Sequence, residues 1–119
     1  MVEENKNKKL LLYGFWVSQP FRAIASFCLL NNIPFEVKKV DAMMGQHMSP
    51  EFAKVNPAKE IPAIQEIDEN GKVFTLSQSH AILRYLAQSR GVADHWYPSD
   101  PEKRAKVDEY LDLHHTFLR

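Results

Sequence analysis

Apolar positions along the chain change period several times, and each change predicts the end of one element and the start of another. A continuous apolar run over residues 10–15 is typical of a buried strand. Pro20 suits the first turn of a helix, and the two asparagines and the proline of "NNIP" at 31–34 end it. Between them, apolar residues recur at helical spacing: Phe21, Ile24, Ala25, Cys28 and Leu29.

The middle of the chain predicts one strand and one short helix. Residues 35–40 read as a second strand, with Phe35 and Val37 on one face. After a loop with Gly45, Ser49 has the features of an N-cap and Pro50 those of a first helical residue.

Two short strands and a third long helix follow. Residues 63–67 and 73–76 flank Asn70-Gly71, a strong hairpin signal. Ser77 or Ser79 is expected to cap the next helix, which Gly91 ends. The order β-α-β, short helix, β-β-α predicts an α/β fold of the thioredoxin-like type, with one mixed sheet flanked by helices.

The remaining residues predict a linker and the start of an all-helical domain. Residues 1–8 are expected to form a disordered tail, 9–91 the thioredoxin-like domain, 92–100 a linker and 101–119 a helix. That last helix carries an apolar stripe that must pack on something: Val107, Tyr110, Leu111, His114, Phe117 and Leu118. Because the helical pattern is still running at residue 119, we expect the chain to be part of a larger protein.

Composition and charge narrow the classes of function. The 119 residues are 45% hydrophobic, and 15 basic residues balance 15 acidic ones, so nothing indicates a nucleic-acid partner. No apolar stretch approaches the ~20 residues that span a bilayer, so no membrane partner is expected. The single cysteine, Cys28, excludes an internal disulfide framework and favours a cytoplasmic location.

The junction between the first strand and the first helix is the first place to look for chemistry. Dithiol exchange would need a reactive cysteine there, whereas the junction holds Ser18 and Cys28 falls on the apolar face of the helix. Any reactive sulfur must therefore come from a ligand. Ser18 can either cap the helix or donate a hydrogen bond to a bound thiolate, and spacing alone leaves both interpretations open.

Two further segments are weaker candidates for ligand binding. "SQSHAIL" at 77–83 begins a helix and offers free backbone N–H groups to an anion, as most helices do. Pro62 in "EIPAI" is either a cis-proline beside the site or part of a plain turn. The five histidines show no metal-ligand spacing, so no metal site is expected.

Four segments together resemble the cytosolic glutathione transferases, and the theta class in particular. They occur in the family's order from Leu10 onward: "VSQPFRAIASF", "IPFEVKKVDAMMGQHMSPEFAKVNPAKEIPAI", "TLSQSHAILRYLA" and "DHWYPSDPEKRAKVDEYLDLHHTFLR". The resemblance implies a thioredoxin-like domain that binds glutathione and a helical domain that completes the pocket for an electrophile. Glutathione is then a co-substrate without any further cofactor, and the full-length protein is expected to be a homodimer.

The resemblance also assigns roles to individual residues. Ser18 matches the catalytic serine that hydrogen-bonds the thiolate, and Arg119 matches an arginine near the sulfur. The remaining matches bind glutathione: His47 and Met48 at its glycine end, Ile61 and the cis-proline Pro62 at its cysteinyl part, and Gln78 and Ser79 at its γ-glutamyl carboxylate.

Two residues depart from the theta pattern, and two alternative functions stay open. Gln78 stands where theta enzymes usually carry Glu, and Glu60 stands where Lys or Gln is usual. The leading hypothesis is an enzyme that conjugates glutathione to electrophiles, with peroxidase or dehalogenase side activity implied by the family. The alternatives are a non-catalytic, transferase-like docking module and an inactive truncated product.

Overall fold

A computed structural model describes residues 8–114, within which four strands and four α-helices are assigned. Residues 1–7 of the tail expected over 1–8, and Phe117, Leu118 and Arg119 at the other end, lie outside these described residues. The strands are β1 (Lys9–Gly14), β2 (Glu36–Lys39), β3 (Ala63–Ile67) and β4 (Val73–Ser77). The helices are α1 (Gln19–Leu30), α2 (Pro50–Val55), α3 (Ser79–Ser89) and α4 (Pro101–Leu113).

The strands form one mixed sheet in the order β2-β1-β3-β4, and the expected thioredoxin-like fold is confirmed. β1 and β2 pair in parallel across the α1 crossover, while β3 is antiparallel to both β1 and β4. The hairpin loop spans residues 68–72 and contains Asn70-Gly71, as its sequence predicts; the Gly71 N–H donates to the Asp68 carbonyl at 3.0 Å, and Gly71 has φ 81°. Each predicted strand lies within one residue of its observed bounds, because buried apolar runs and turn residues are local signals.

The core lies mainly between the sheet and the pair α1 and α3. Phe21, Ile24 and Cys28 present the predicted apolar face of α1 and are fully buried. They pack with Leu12, Ile64, Ile82 and Leu86 from the sheet and α3. On the opposite face of the sheet, a smaller cluster of Val40, Phe52 and Ala63 holds α2. The sheet is therefore covered on both faces.

A buried ionic network ties the end of α3 to the middle of β3. Glu66 is 1% exposed and pairs with Arg90, whose side chain is 7% exposed. The Tyr85 hydroxyl donates to Glu66 Oε2 at 2.5 Å. A buried carboxylate needs such partners because its desolvation costs several kcal/mol, so these three residues depend on one another.

Helix α4 contacts α3 through polar side chains as well as through its apolar stripe. Arg84 of α3 lies 3.0 Å from Asp108 and 3.5 Å from Asp112 of α4. Val107 and Leu111 are half-buried, whereas Tyr110 is 57% exposed. Val107 and Leu111 of the predicted stripe face α1 and α3 across a cavity of about 300 Å³.

The segment expected to be an irregular linker contains one ordered turn that its sequence did not predict. Asp94–Trp96 form a 3₁₀ turn, and the Trp96 ring packs edge-on against Phe27 of α1 at 5.3 Å between centroids. Tyr97 donates a 2.9 Å hydrogen bond to Asp108. Contacts with distant elements, rather than local periodicity, order this segment. None of the described helices is long and apolar enough to cross a membrane.

Replacing Arg90 with Met should lower the free energy of unfolding by about 3–5 kcal/mol, because the Glu66 carboxylate is left buried without its cation. Urea titration measures this. Lys106→Met is the matched control, since it breaks a pair of 3.0 Å between mostly exposed side chains and should cost about 1 kcal/mol or less. Equal costs for the two variants would contradict the structural role of the buried pair.

Tyr85 should make the fold sensitive to alkaline pH. Burial, together with the adjacent Glu66 carboxylate, raises the pKa of Tyr85 to about 12 from an ordinary 10.0. The folded state keeps the phenol proton after the unfolded state has lost it. This contribution to stability is therefore full below pH ~10 and disappears as the pH rises through ~12. In urea titrations across that range, Tyr85→Phe should lose stability less steeply than the parent; parallel curves would refute the assignment.

Candidate functional site

The sheet brings four loops to one of its edges. Tyr13 pairs with Ala63, and Ala63 pairs with Ser77, so the end of β1, the start of β3 and the end of β4 lie side by side. Because β2 is parallel to β1, its last residue, Lys39, lies at the same edge of the sheet, where it pairs with Gly14. The loops that carry the sequence-predicted residues all enter or leave the sheet here.

The turn from β1 into α1 is fixed by close packing. Gly14 has φ 157°, and a Cβ at this position would lie 2.4 Å from the Phe21 ring, so only glycine fits. Trp16 packs edge-on against the same ring at 5.0 Å between centroids. Arg22 donates to the carbonyls of Trp16 at 2.7 Å and Val17 at 2.9 Å. This bracing role of Arg22 was not anticipated from the sequence.

Ser18 is the N-cap of α1, and the cap interpretation is confirmed. Its Oγ accepts from the Phe21 N–H at 3.3 Å, while its own N–H donates to the Phe15 carbonyl at 2.9 Å. The residue is half-buried with φ −74° and ψ 122°. Since the cap uses a lone pair of the hydroxyl oxygen, the O–H group can still donate to an anion at the start of the helix.

The start of α3 differs from the predicted cap. Ser77 is the last residue of β4 and Ser79 is the first helical residue, so neither is the N-cap. That position belongs to Gln78, whose side chain makes no capping bond and whose backbone lies at φ 75° and ψ 114°. The prediction of a serine cap was wrong because pairing of Ser77 with Ala63 extends the strand by one residue.

This conformation leaves Gln78 exposed above a helix start without a side-chain cap. Positive φ is costly for a residue with a side chain, and such strain is concentrated at functional positions. The first N–H groups of α3 point out of the helix beside Gln78, which favours an anion there. Ser79, in contrast, is buried at 5% exposure.

Asn56 organises the loop before β3. It is buried, its Nδ2 donates to the Glu60 carbonyl at 2.8 Å, and its Oδ1 accepts from the Ala58 N–H at 3.1 Å. The loop leads into Ile61-Pro62, whose peptide bond is cis, as the resemblance implied. The Glu60 side chain is exposed. The Asn-Pro pair is a known turn signal, but nothing local indicates that Asn56 bridges to residue 60.

The fourth loop carries His47 and Met48 on a pair of short 3₁₀ turns. Asp41 accepts from the Met43 N–H at 3.0 Å, and Gln46 accepts from the Asp41 N–H at 2.8 Å. His47 is half-buried, and within the described residues its Nδ1 is buried without a hydrogen-bond partner. Met48 is 56% exposed.

The site contains no reactive thiol of its own within the described residues. Cys28 is fully buried in the core, where desolvation raises the pKa of its thiol to about 11 despite the opposing effect of Arg90. The expectation that it is a core residue is confirmed. No described group of three or more His, Cys, Asp or Glu side chains is arranged to hold a metal ion. The groups at this edge that suit an anionic ligand are a serine hydroxyl and two helix N-termini.

Comparison with known proteins identifies the class to which this fold and edge belong. The family model described as "Glutathione S-transferase, N-terminal domain" matches residues 8–88. The chain therefore belongs to the glutathione S-transferase family, through its N-terminal domain.

Within that family the chain is similar to theta-class members. It is 50% identical to human glutathione S-transferase theta-1 over 110 residues, covering 92% of this chain and 44% of the relative. It is 46% identical to glutathione S-transferase T1 of Arabidopsis thaliana, covering 93% and 44%. The crystal structure of human theta-2 in complex with glutathione superposes with a TM-score of 0.84 at 43% identity, over 92% of this chain and 43% of that one. The chain thus spans less than half the length of these relatives.

Proposed function

We propose that this chain binds glutathione along the described sheet edge and activates its thiol for attack on an electrophile. The observation that carries the proposal is the geometry of Ser18. Its oxygen accepts the capping bond from Phe21 and leaves the hydroxyl proton for a ligand at the α1 N-terminus. The glutathione complex of the theta-2 relative supports the choice of ligand.

In the proposed complex, the tripeptide lies across the loops, with its γ-glutamyl end at α3 and its glycine end at the loop of His47 and Met48. The γ-glutamyl carboxylate occupies the α3 N-terminus, where Gln78 and Ser79 bind it with help from the helix dipole. The backbone of Ile61, next to the cis Pro62, pairs with the cysteinyl part. His47 and Met48 meet the glycine end. The exposed amide of Gln78 supports its assignment, because no intramolecular cap occupies it.

The chemistry follows from stabilising one anion. A hydrogen bond from Ser18 and the positive end of α1 favour the thiolate, so the thiol gives its proton to solvent near neutral pH. The sulfur then attacks the electrophilic carbon, a C–S bond forms, and the leaving group departs with its electron pair. Glutathione is the co-substrate, and the reaction needs no further cofactor. Arg119, implied near the sulfur by the resemblance, lies outside the described residues.

The proposal extends to assembly and location. We infer that the full-length protein is a homodimer. We also infer a cytoplasmic location, which the single cysteine supports because it is free and buried. The docking-module alternative would retain the fold without the thiolate chemistry. Measuring the thiol pKa of bound glutathione distinguishes this docking module from the enzyme, and the measurement needs no electrophile.

Ser18→Ala should raise the pKa of bound glutathione toward the free-thiol value near ~8.5, measured by thiolate absorbance against pH. It should also cost about 1 kcal/mol of stability through the lost cap. Ser49→Ala is the matched control, because Ser49 caps α2 in the same way, accepting from the Phe52 N–H at 3.1 Å. That variant should lose similar stability and leave the thiol pKa alone. An unshifted pKa in Ser18→Ala would overturn the proposed role.

Gln78→Gly should separate stability from binding. Glycine relieves the positive φ, so the free energy of unfolding should hold or rise by about 1 kcal/mol. Loss of the amide should weaken glutathione binding by about tenfold in calorimetry. Asn32→Gly, which also replaces a residue at positive φ (55°) but lies at the other end of α1, should gain stability without changing affinity. Unchanged affinity in Gln78→Gly would remove Gln78 from the site.

A further inference from the structure

All the methionines among the described residues lie on one loop of the candidate site. Met43 and Met44 end the first 3₁₀ turn between β2 and α2, and Met48 ends the second. The three residues are 80%, 75% and 56% exposed, in that order. Methionine is one of the residue types most often buried in folded proteins, so three exposed thioethers on one loop are unusual. We call residues 42–48 the methionine loop.

Backbone groups and polar side chains hold the methionine loop, and the thioethers take no part in this. The Asp41 carboxylate accepts from the Met43 N–H at 3.0 Å, and the Gln46 side chain accepts from the Asp41 N–H at 2.8 Å. The Met48 N–H donates to the Gly45 carbonyl at 3.0 Å. Neither core cluster of the described residues includes a methionine. The three sulfur atoms can therefore be modified without loss of the packing that stabilises the fold.

The single cysteine is protected where the methionines are accessible. Cys28 is fully buried, and burial raises the pKa of its thiol to about 11. Oxidation of cysteine proceeds through an accessible thiolate, which this residue does not provide near neutral pH. A thioether has no proton to lose, so its oxidation depends on access to the sulfur. Within the described residues, a mild oxidant therefore meets the thioethers of the methionine loop and not the thiol.

We propose that Met43, Met44 and Met48 form a modification site for hydroperoxides, and that oxidation of Met48 weakens glutathione binding. The second part rests on the proposed function. The thioether sulfur attacks the outer oxygen of the hydroperoxide, so an S–O bond forms while the O–O bond breaks. The departing oxygen keeps the electron pair and takes the proton. The products are methionine sulfoxide and an alcohol, or water when the oxidant is hydrogen peroxide.

Oxidation changes what Met48 presents to the glycine end of bound glutathione. The thioether is apolar and a weak acceptor, whereas the sulfoxide is polar and its oxygen accepts hydrogen bonds without donating any. A carboxylate is also an acceptor only, so the two groups repel each other and lose contact with water. We therefore expect glutathione affinity to fall about fivefold. Sulfoxides at Met43 and Met44, which have no place in the proposed complex, should leave the affinity unchanged.

The test treats the chain with hydrogen peroxide near neutral pH. Peptide mapping by mass spectrometry should find one added oxygen on each of the three methionines, and a thiol assay after unfolding should find Cys28 still reduced. Urea titration should give the same free energy of unfolding before and after treatment, because no core residue has changed. Calorimetry should show the loss of glutathione affinity of about fivefold.

Two leucine variants identify the methionine responsible, since leucine keeps the apolar volume and has no sulfur. Whatever the affinity of Met48→Leu before peroxide, it should be the same afterwards. Met44→Leu is the matched control on the same loop, and it should lose affinity on oxidation as the parent does. An equal loss in Met48→Leu, or methionines left unoxidised in the folded chain, would overturn the proposal.

The design also keeps this inference distinct from the proposed function. If the untreated parent does not bind glutathione, the proposed function fails, and control of binding by Met48 fails with it. The mapped oxidation sites and the state of Cys28 then decide the modification site alone. If the parent binds glutathione with one affinity before and after full oxidation, the role of Met48 oxidation is refuted while the proposed function stands.

Discussion

The contact between Gly14 and the Phe21 ring is the constraint on which the site depends. The ring is fully buried, and the β1 backbone lies so close to it that a side chain at position 14 would overlap it. This approach determines where the chain leaves the sheet and where α1 begins. Ser18 is therefore held between two rigid elements rather than on a free loop, which gives its hydroxyl a defined direction. A site built on such a turn keeps its geometry before any ligand arrives.

The fold separates the residues that stabilise it from those that face a ligand. The Glu66–Arg90–Tyr85 network closes the far end of α3 against the sheet, while the near end of the same helix carries the strained Gln78. Strain at one end of a helix is tolerated when the other end is firmly held, because the cost is spread over one cooperative unit. The polar contacts of Arg84 hold α4 across the middle of α3 in the same manner.

Local signals in the sequence were enough to predict most of the fold. Proline after a capping serine defined the starts of α1 and α2, and Asn70-Gly71 defined the hairpin, because these residues act within four positions of themselves. The start of α3 was predicted wrongly, since its cap depends on how far β4 pairs with β3. Asn56 bonds to Ala58 and Glu60 within an irregular loop, where no periodic pattern marks its role. The contact between the His80 and His114 rings joins residues 34 positions apart, so it depends on tertiary packing. The roles given to Ser18, His47, Met48, Ile61, Pro62, Gln78, Ser79 and Arg119 came from resemblance, and they remain predictions.

The two tryptophans give the chain optical probes in different surroundings. Trp16 is 48% exposed and stands two residues before Ser18, with its indole edge-on to Phe21. Trp96 is half-buried against Phe27, on the side of α1 where α4 packs. Because indole emission follows local polarity, light emitted by Trp16 reports on events at the sheet edge, and light emitted by Trp96 reports on the seating of the helical segment. Single-tryptophan variants would thus turn one protein into two separate sensors without any attached dye.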